Sequence, residues 1–149
     1  MRHALHYGVF LVLVVGGGWA MGTVAGPDAW YSALAKPAFT PPDRVFGPVW
    51  TVLYVMIAVA GARCFVLGPG RDFFLWVVQL VLNFAWTPIF FGLHAPQLAL
   101  VVIAALLAAI LAFIALRWRG DRIGAALFMP YAAWVAYAAG LNAAIVEMN

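Results

Sequence analysis

Apolar residues run almost unbroken through five stretches, at about 4–26, 45–67, 72–92, 96–118 and 122–147. A helix needs roughly 20 residues to cross a hydrocarbon core, and each stretch is long enough. The separators carry stop signals: Gly68-Pro69-Gly70 before Arg71 and Asp72, His94-Ala95-Pro96, and the polar run from Arg117 to Arg122. Pro96 suits the first turn of a helix, and Asp72 and Asp121 suit N-caps. The pattern predicts an all-α membrane protein: a single domain, 1–149, built as a bundle of five transmembrane helices.

The connection between the first two spans breaks this rhythm. From Trp30 to Trp50 it holds Pro37, Pro41, Pro42 and Pro48, which argue against a regular helix or a paired strand. It also holds Trp30, Tyr31, Phe39, Phe46 and Trp50, too many aromatics for a loose connector. A long, stiff, sticky connection reads as a lid over a site, here residues 27–44.

Composition agrees with the membrane class. Of 149 residues, 67% are hydrophobic and 9% charged, against about 25% charged in a soluble domain. Arg2, Arg63, Arg71, Arg117, Arg119 and Arg122 fall on one face of a five-span topology, and only Lys36 and Arg44 on the other. By the positive-inside rule the N-terminus is cytoplasmic in a bacterial cell membrane, with the lid and C-terminus outside. The basic residues flank spans, so the net charge of +3 does not point to nucleic acid. The first run also fits a cleavable leader, with Thr23-Val24-Ala25 before Gly26, but its length favours a retained helix. Gly18, Gly22 and Gly26 recur every four residues and make a flat helix face, for packing inside the bundle or for a dimer contact.

Polar groups are costly in hydrocarbon, so their depth is informative. By a rise of 1.5 Å per residue, Trp19, Trp50, Trp86 and Asn142 lie about 8–10 Å below the lid face. Thr23, Tyr54 and Asn83 are placed roughly 5 Å deeper, with Gln79 and Trp134 at about 20 Å. Gln79, Asn83 and Thr87 share one helix face, as do Trp134, Ala138 and Asn142. Pro88 and Pro130 are expected to interrupt their helices. Trp30, Trp76 and Trp118 suit an interfacial aromatic belt. Together these positions imply an aromatic-walled pocket with a few polar groups under the lid.

Catalytic and metal chemistry is sparse. The five carboxylates lie near span ends, Cys64 is the single cysteine, and His3 with His6 makes at most a weak metal pair. No phosphate loop or nucleophile elbow occurs, and no metal or cofactor is expected to be required.

Three ordered motifs carry a family resemblance. WYxxLxKPxxxPP with FxxxWxxLY spans Trp30 to Tyr54, QLxLNxxWTPxFFG spans Gln79 to Gly92, and PYxxWxxxxxxLN spans Pro130 to Asn142. Over nearly its whole length the chain resembles the translocator protein family, also called tryptophan-rich sensory proteins or peripheral-type benzodiazepine receptors. The resemblance implies a homodimeric receptor or carrier for protoporphyrin IX and haem, with a role in porphyrin transport, sensing or regulation. It also implies affinity for isoquinoline-type drugs and sterols. It implies pocket residues Tyr31, Trp50, Tyr54, Asn83, Trp86, Thr87, Phe90, Trp134, Ala138 and Asn142. It assigns Trp30, Lys36, Pro37, Phe39, Pro41 and Pro42 to the lid. Phe39 stands where relatives often carry Trp, and the last helix lacks the Tyr and basic residue of the family's sterol pattern. A membrane enzyme that degrades porphyrin through pocket tryptophans is the alternative.

Overall fold

The computed structural model describes residues 2–149. Its elements are α1 (Arg2–Val24), the short α2 (Ala29–Ala33), α3 (Asp43–Val66), α4 (Arg71–Thr87), a π-helical turn (Pro88–Gly92), α5 (Pro96–Arg117) and α6 (Arg122–Met148). No strand occurs among the described residues. Five of the helical segments are long and apolar enough to span a bilayer, so the chain is an integral, multi-pass membrane protein. The long helices pack in a closed ring, in the order α1–α3–α6–α5–α4 and back to α1.

Hydrocarbon tails compete with apolar side chains for the same contacts, so close fit rather than water exclusion holds the ring. Glycine supplies that fit at several places. A Cβ on Gly61 would stand 2.3 Å from the Trp76 ring, and one on Gly18 would stand 2.1 Å from the Tyr54 ring. Trp76 is therefore a buried core residue that donates to the Ile57 carbonyl at 3.0 Å, not the interfacial anchor expected of it. Gly18 serves packing within the chain, and Gly22 has open space before it.

Both ends of the bundle are tied across helices. At the end away from the lid, Arg63 of α3 grips Asp121 with two bonds, 2.7 and 3.0 Å. Arg117 of α5 bonds Asp72 of α4 at 2.6 Å and reaches Asp121 at 3.4 Å. This use displaces the expected caps. Gly70 is the N-cap of α4, and Asp121 sits at the α6 N-cap position without a capping side-chain bond. The Asp121 carboxyl is held below the usual range, chiefly by the Arg63 bonds.

Prolines act differently from the expectation. The 27–44 connection contains a helical turn, α2, because Asp28 caps it through the Tyr31 N–H at 3.0 Å. Pro48 lies inside α3 and Pro130 inside α6, both of which continue through. Only Pro88 changes the winding, opening the π turn. A proline removes one backbone N–H, and flanking turns of a long helix hold the axis across the gap.

Candidate functional site

The ring encloses a cavity of about 430 Å³ beneath the lid. All ten residues expected in a pocket line it: Tyr31, Trp50, Tyr54, Asn83, Trp86, Thr87, Phe90, Trp134, Ala138 and Asn142. They come from three of the five spans, α3, α4 with its π turn and α6, and from the lid turn. A further wall is α1, where Gly18 and Gly22 add no side chain beside Trp19 and Thr23, and Gly26 follows just past the helix end. Ile103 and Leu106 of α5 add apolar floor. Thr23 also lines the cavity, one turn nearer the lid than Trp19, because α1 runs toward the lid; the expected order of depth was reversed.

The lid residues have other work. Of 27–42, only Pro27 and Tyr31 touch the cavity. Trp30 packs edge-on against Phe90 at 5.9 Å between centroids and stacks on His94 at 4.3 Å. Lys36 donates to the Ser32 and Leu34 carbonyls and lies 4.6 Å from the Tyr31 ring centre. The Pro37 carbonyl accepts from Thr40, Tyr137 donates to the Phe39 carbonyl, and Pro42 is the N-cap of α3. Pro41 is half-buried. Asn149, at the end of α6, exchanges two 3.0 Å bonds with Ala35. The lid is thus fastened along its length rather than draped.

Two hydrogen-bond chains run through the cavity wall. Tyr54 donates to Asn83 Oδ1 at 3.1 Å, and Asn83 Nδ2 donates to the Tyr131 hydroxyl at 2.8 Å. Tyr131 donates to Gln79 Oε1 at 2.9 Å, and Gln79 Nε2 ends the chain on the Trp76 carbonyl at 2.9 Å. Each step fixes the next: Gln79 can only accept from Tyr131, so Tyr131 must accept from Asn83, which leaves Oδ1 for Tyr54. Nearer the lid, Trp86 Nε1 donates to Asn142 Oδ1 at 3.2 Å, and Asn142 Nδ2 donates to the Pro96 carbonyl at 2.8 Å. The Trp134 indole stands apart from these bonds. Its Nε1 is buried with no partner, a donor left over in the wall of the cavity.

Tyr31 and Asp28 show how the lid turn feels its surroundings. Burial pushes the Tyr31 phenol above its ordinary range, and Asp43 adds to the shift. The Tyr31 N–H, with help from His94, holds the Asp28 carboxyl low. Around Tyr31 the aromatic packing is dense. Phe91 lies at 5.1 Å and Phe90 at 6.1 Å, and Trp86 stacks on Phe90 at 5.0 Å.

Sequence reading missed two things here. Tyr131, wholly buried, is the centre of the polar chain, and Gln79 belongs to that chain instead of the cavity. A hydroxyl at mid-membrane depth always needs a partner, and that was the available signal for Tyr131. Among the described residues no group of three or more metal-ligating side chains occurs.

Fold and site together define a class: a five-span membrane protein with a lidded, aromatic, ligand-sized cavity. The TspO/MBR family profile matches residues 9–148, and the chain belongs to that family. It is 34% identical to protein CrtK of Rhodobacter capsulatus, over 87% of this chain and 84% of that one. It is 35% identical to the tryptophan-rich protein TspO of Archaeoglobus fulgidus, over 95% and 94%. Human translocator protein is 34% identical over 80% of this chain and 75% of its own.

Proposed function

We propose that this protein is a membrane receptor or carrier for tetrapyrroles such as protoporphyrin IX and haem, serving porphyrin transport, sensing or regulation. The observation that carries the reading is the cavity. Its volume falls in the range of about 300–1,000 Å³ typical of small-molecule sites. Trp50, Trp86 and Trp134 give it flat, polarisable walls suited to a planar ring system. The buried, unpartnered Trp134 N–H is a donor for a ligand acceptor, while Tyr54, Asn83, Trp86 and Asn142 are bonded within the protein. Isoquinoline-type drugs and sterols fit the same apolar space less distinctively.

Titration of intrinsic fluorescence with protoporphyrin IX tests this. Replacing Trp50 or Trp134 by Ala is expected to weaken binding several-fold; affinity equal to the parent in both variants removes the assignment. The same samples, kept in darkness and in light, test the alternative of an enzyme that degrades porphyrin. A discrete product at more than one equivalent per protein would establish turnover. The reading also includes a homodimer in the membrane, and a monomer mass by light scattering in several detergents would exclude it. Gly18 is used against Tyr54 and is not free for such pairing, whereas Gly22 has open space before it.

A further inference from the structure

We infer that His94 is a pH-responsive latch that fastens the lid, gripping it more firmly when the imidazole is protonated. The inference concerns regulation of the proposed ligand cavity and rests on that reading for its functional consequence. The latch itself rests only on geometry. His94 Nε2 lies 3.0 Å from Asp28 Oδ2, and the imidazole stacks on the Trp30 indole with planes 20° apart. One side chain from the α4–α5 link therefore holds both the residue that caps α2 and a residue within it. Asp28 caps α2 through the Tyr31 N–H, so the grip passes to the one aromatic of the lid that lines the cavity.

The platform behind His94 is stiff. Its φ of 51° is left-handed, and the turn around it is closed by Leu93 N–H on the Pro88 carbonyl at 2.9 Å and Ala95 N–H on the Ile89 carbonyl at 3.2 Å. The imidazole is thus presented from a hydrogen-bonded turn that is separate from the lid. Charging the ring turns a hydrogen bond into an ion pair with Asp28, and a neutral stack into a cation–π contact with Trp30. Imidazoles titrate between about pH 5 and 8, where Asp28 stays ionised. The extra grip is therefore present at the acidic end of that window and lost as pH rises through it. The other charged groups near the lid, Lys36, Asp43, Arg44 and Glu147, make no ion pair or hydrogen bond with His94.

Amide hydrogen exchange of residues 28–36 in detergent or nanodiscs, corrected for intrinsic rates, reads lid opening without any ligand. The parent is expected to exchange roughly two- to fivefold faster at pH 8 than at pH 5.5, the scale an exposed ion pair supports. His94→Asn keeps a residue that tolerates the left-handed backbone and removes the titration, so its exchange should lose this pH dependence. Asp28→Asn keeps the cap on Tyr31 and removes the negative charge, and should blunt the dependence. A flat parent profile, an unchanged slope in His94→Asn, or a full slope in Asp28→Asn overturns the latch. Protoporphyrin release, followed in parallel, should slow at acidic pH in the parent only. Release that ignores a pH-dependent lid overturns the regulatory claim. Failure of all three proteins to bind porphyrin overturns the ligand reading, and lid exchange still decides the latch.

Discussion

Tyr131 shows how much one side chain can hold in an apolar bundle. It is fully buried and joins Asn83 of α4 to Gln79 one turn away. Replacing it by Phe keeps the ring, which packs on Phe128 at 5.4 Å and Trp50 at 6.3 Å, and strands two polar groups. Each buried group left without a partner costs about 1–3 kcal/mol. Tyr131→Phe should therefore lower thermal stability clearly, while Tyr131→Phe with Gln79→Leu and Asn83→Leu should recover part of it. A Phe variant as stable as the parent would show that the chain contributes nothing net. The sequence displays Tyr131 beside Pro130 and Trp134, but nothing in one dimension reveals that Asn83 and Gln79, 48 and 52 residues away, come to meet it.

At the scale of elements, the end away from the lid is set by four charges on four segments. Arg63, Asp72, Arg117 and Asp121 join α3, α4, α5 and the start of α6. Separating half of such a buried pair costs about 3–5 kcal/mol, more than most single contacts. Arg117→Ala should accordingly destabilise the bundle more than Arg119→Ala, whose side chain is exposed. The pH dependence has a definite sign. Asp121 is held below its ordinary value by Arg63 and then by Arg117, so its contribution is complete above that value, about 3.9. It is lost as pH falls through the lowered one. Melting followed from pH 6 to 2 should show this acid limb in the parent, and Asp121→Asn should be weaker at pH 6 with a shallower limb. An identical limb in the variant would assign acid sensitivity elsewhere. The sequence shows these residues at span ends, where charges are ordinary, so their pairing was not legible; it depends on which helices become neighbours in the ring.

The whole molecule is a ring of five helices with unlike ends, one tied by ion pairs and one closed by the lid. From the arginine bias we propose that the ion-paired end faces the cytoplasm of a bacterial cell. Single cysteines at Ala38 in the lid and Gly120 in the α5–α6 link, in a Cys64→Ala background, should differ in labelling by an impermeant maleimide on intact cells. Ala38 should react and Gly120 should not; the reverse pattern would invert the topology.

Much of this was determined by the sequence alone. Five apolar runs of spanning length admit little but helices in a bilayer, because every backbone N–H and C=O must be satisfied within its own segment. The aromatic and polar positions under the lid were legible for a similar reason, since hydrocarbon makes any such residue conspicuous. The motifs added the family. What only the tertiary structure decided is which groups meet. The order of helices around the ring turns Trp76 from an interfacial anchor into a core residue, gives the caps Asp72 and Asp121 to arginines, and seats Gly18 against Tyr54. It leaves Trp134 with an unspent donor and brings His94 onto Asp28. Local patterns fix elements because backbone satisfaction is local; hydrogen bonds between side chains of different helices are long-range, and exist only once the ring has closed.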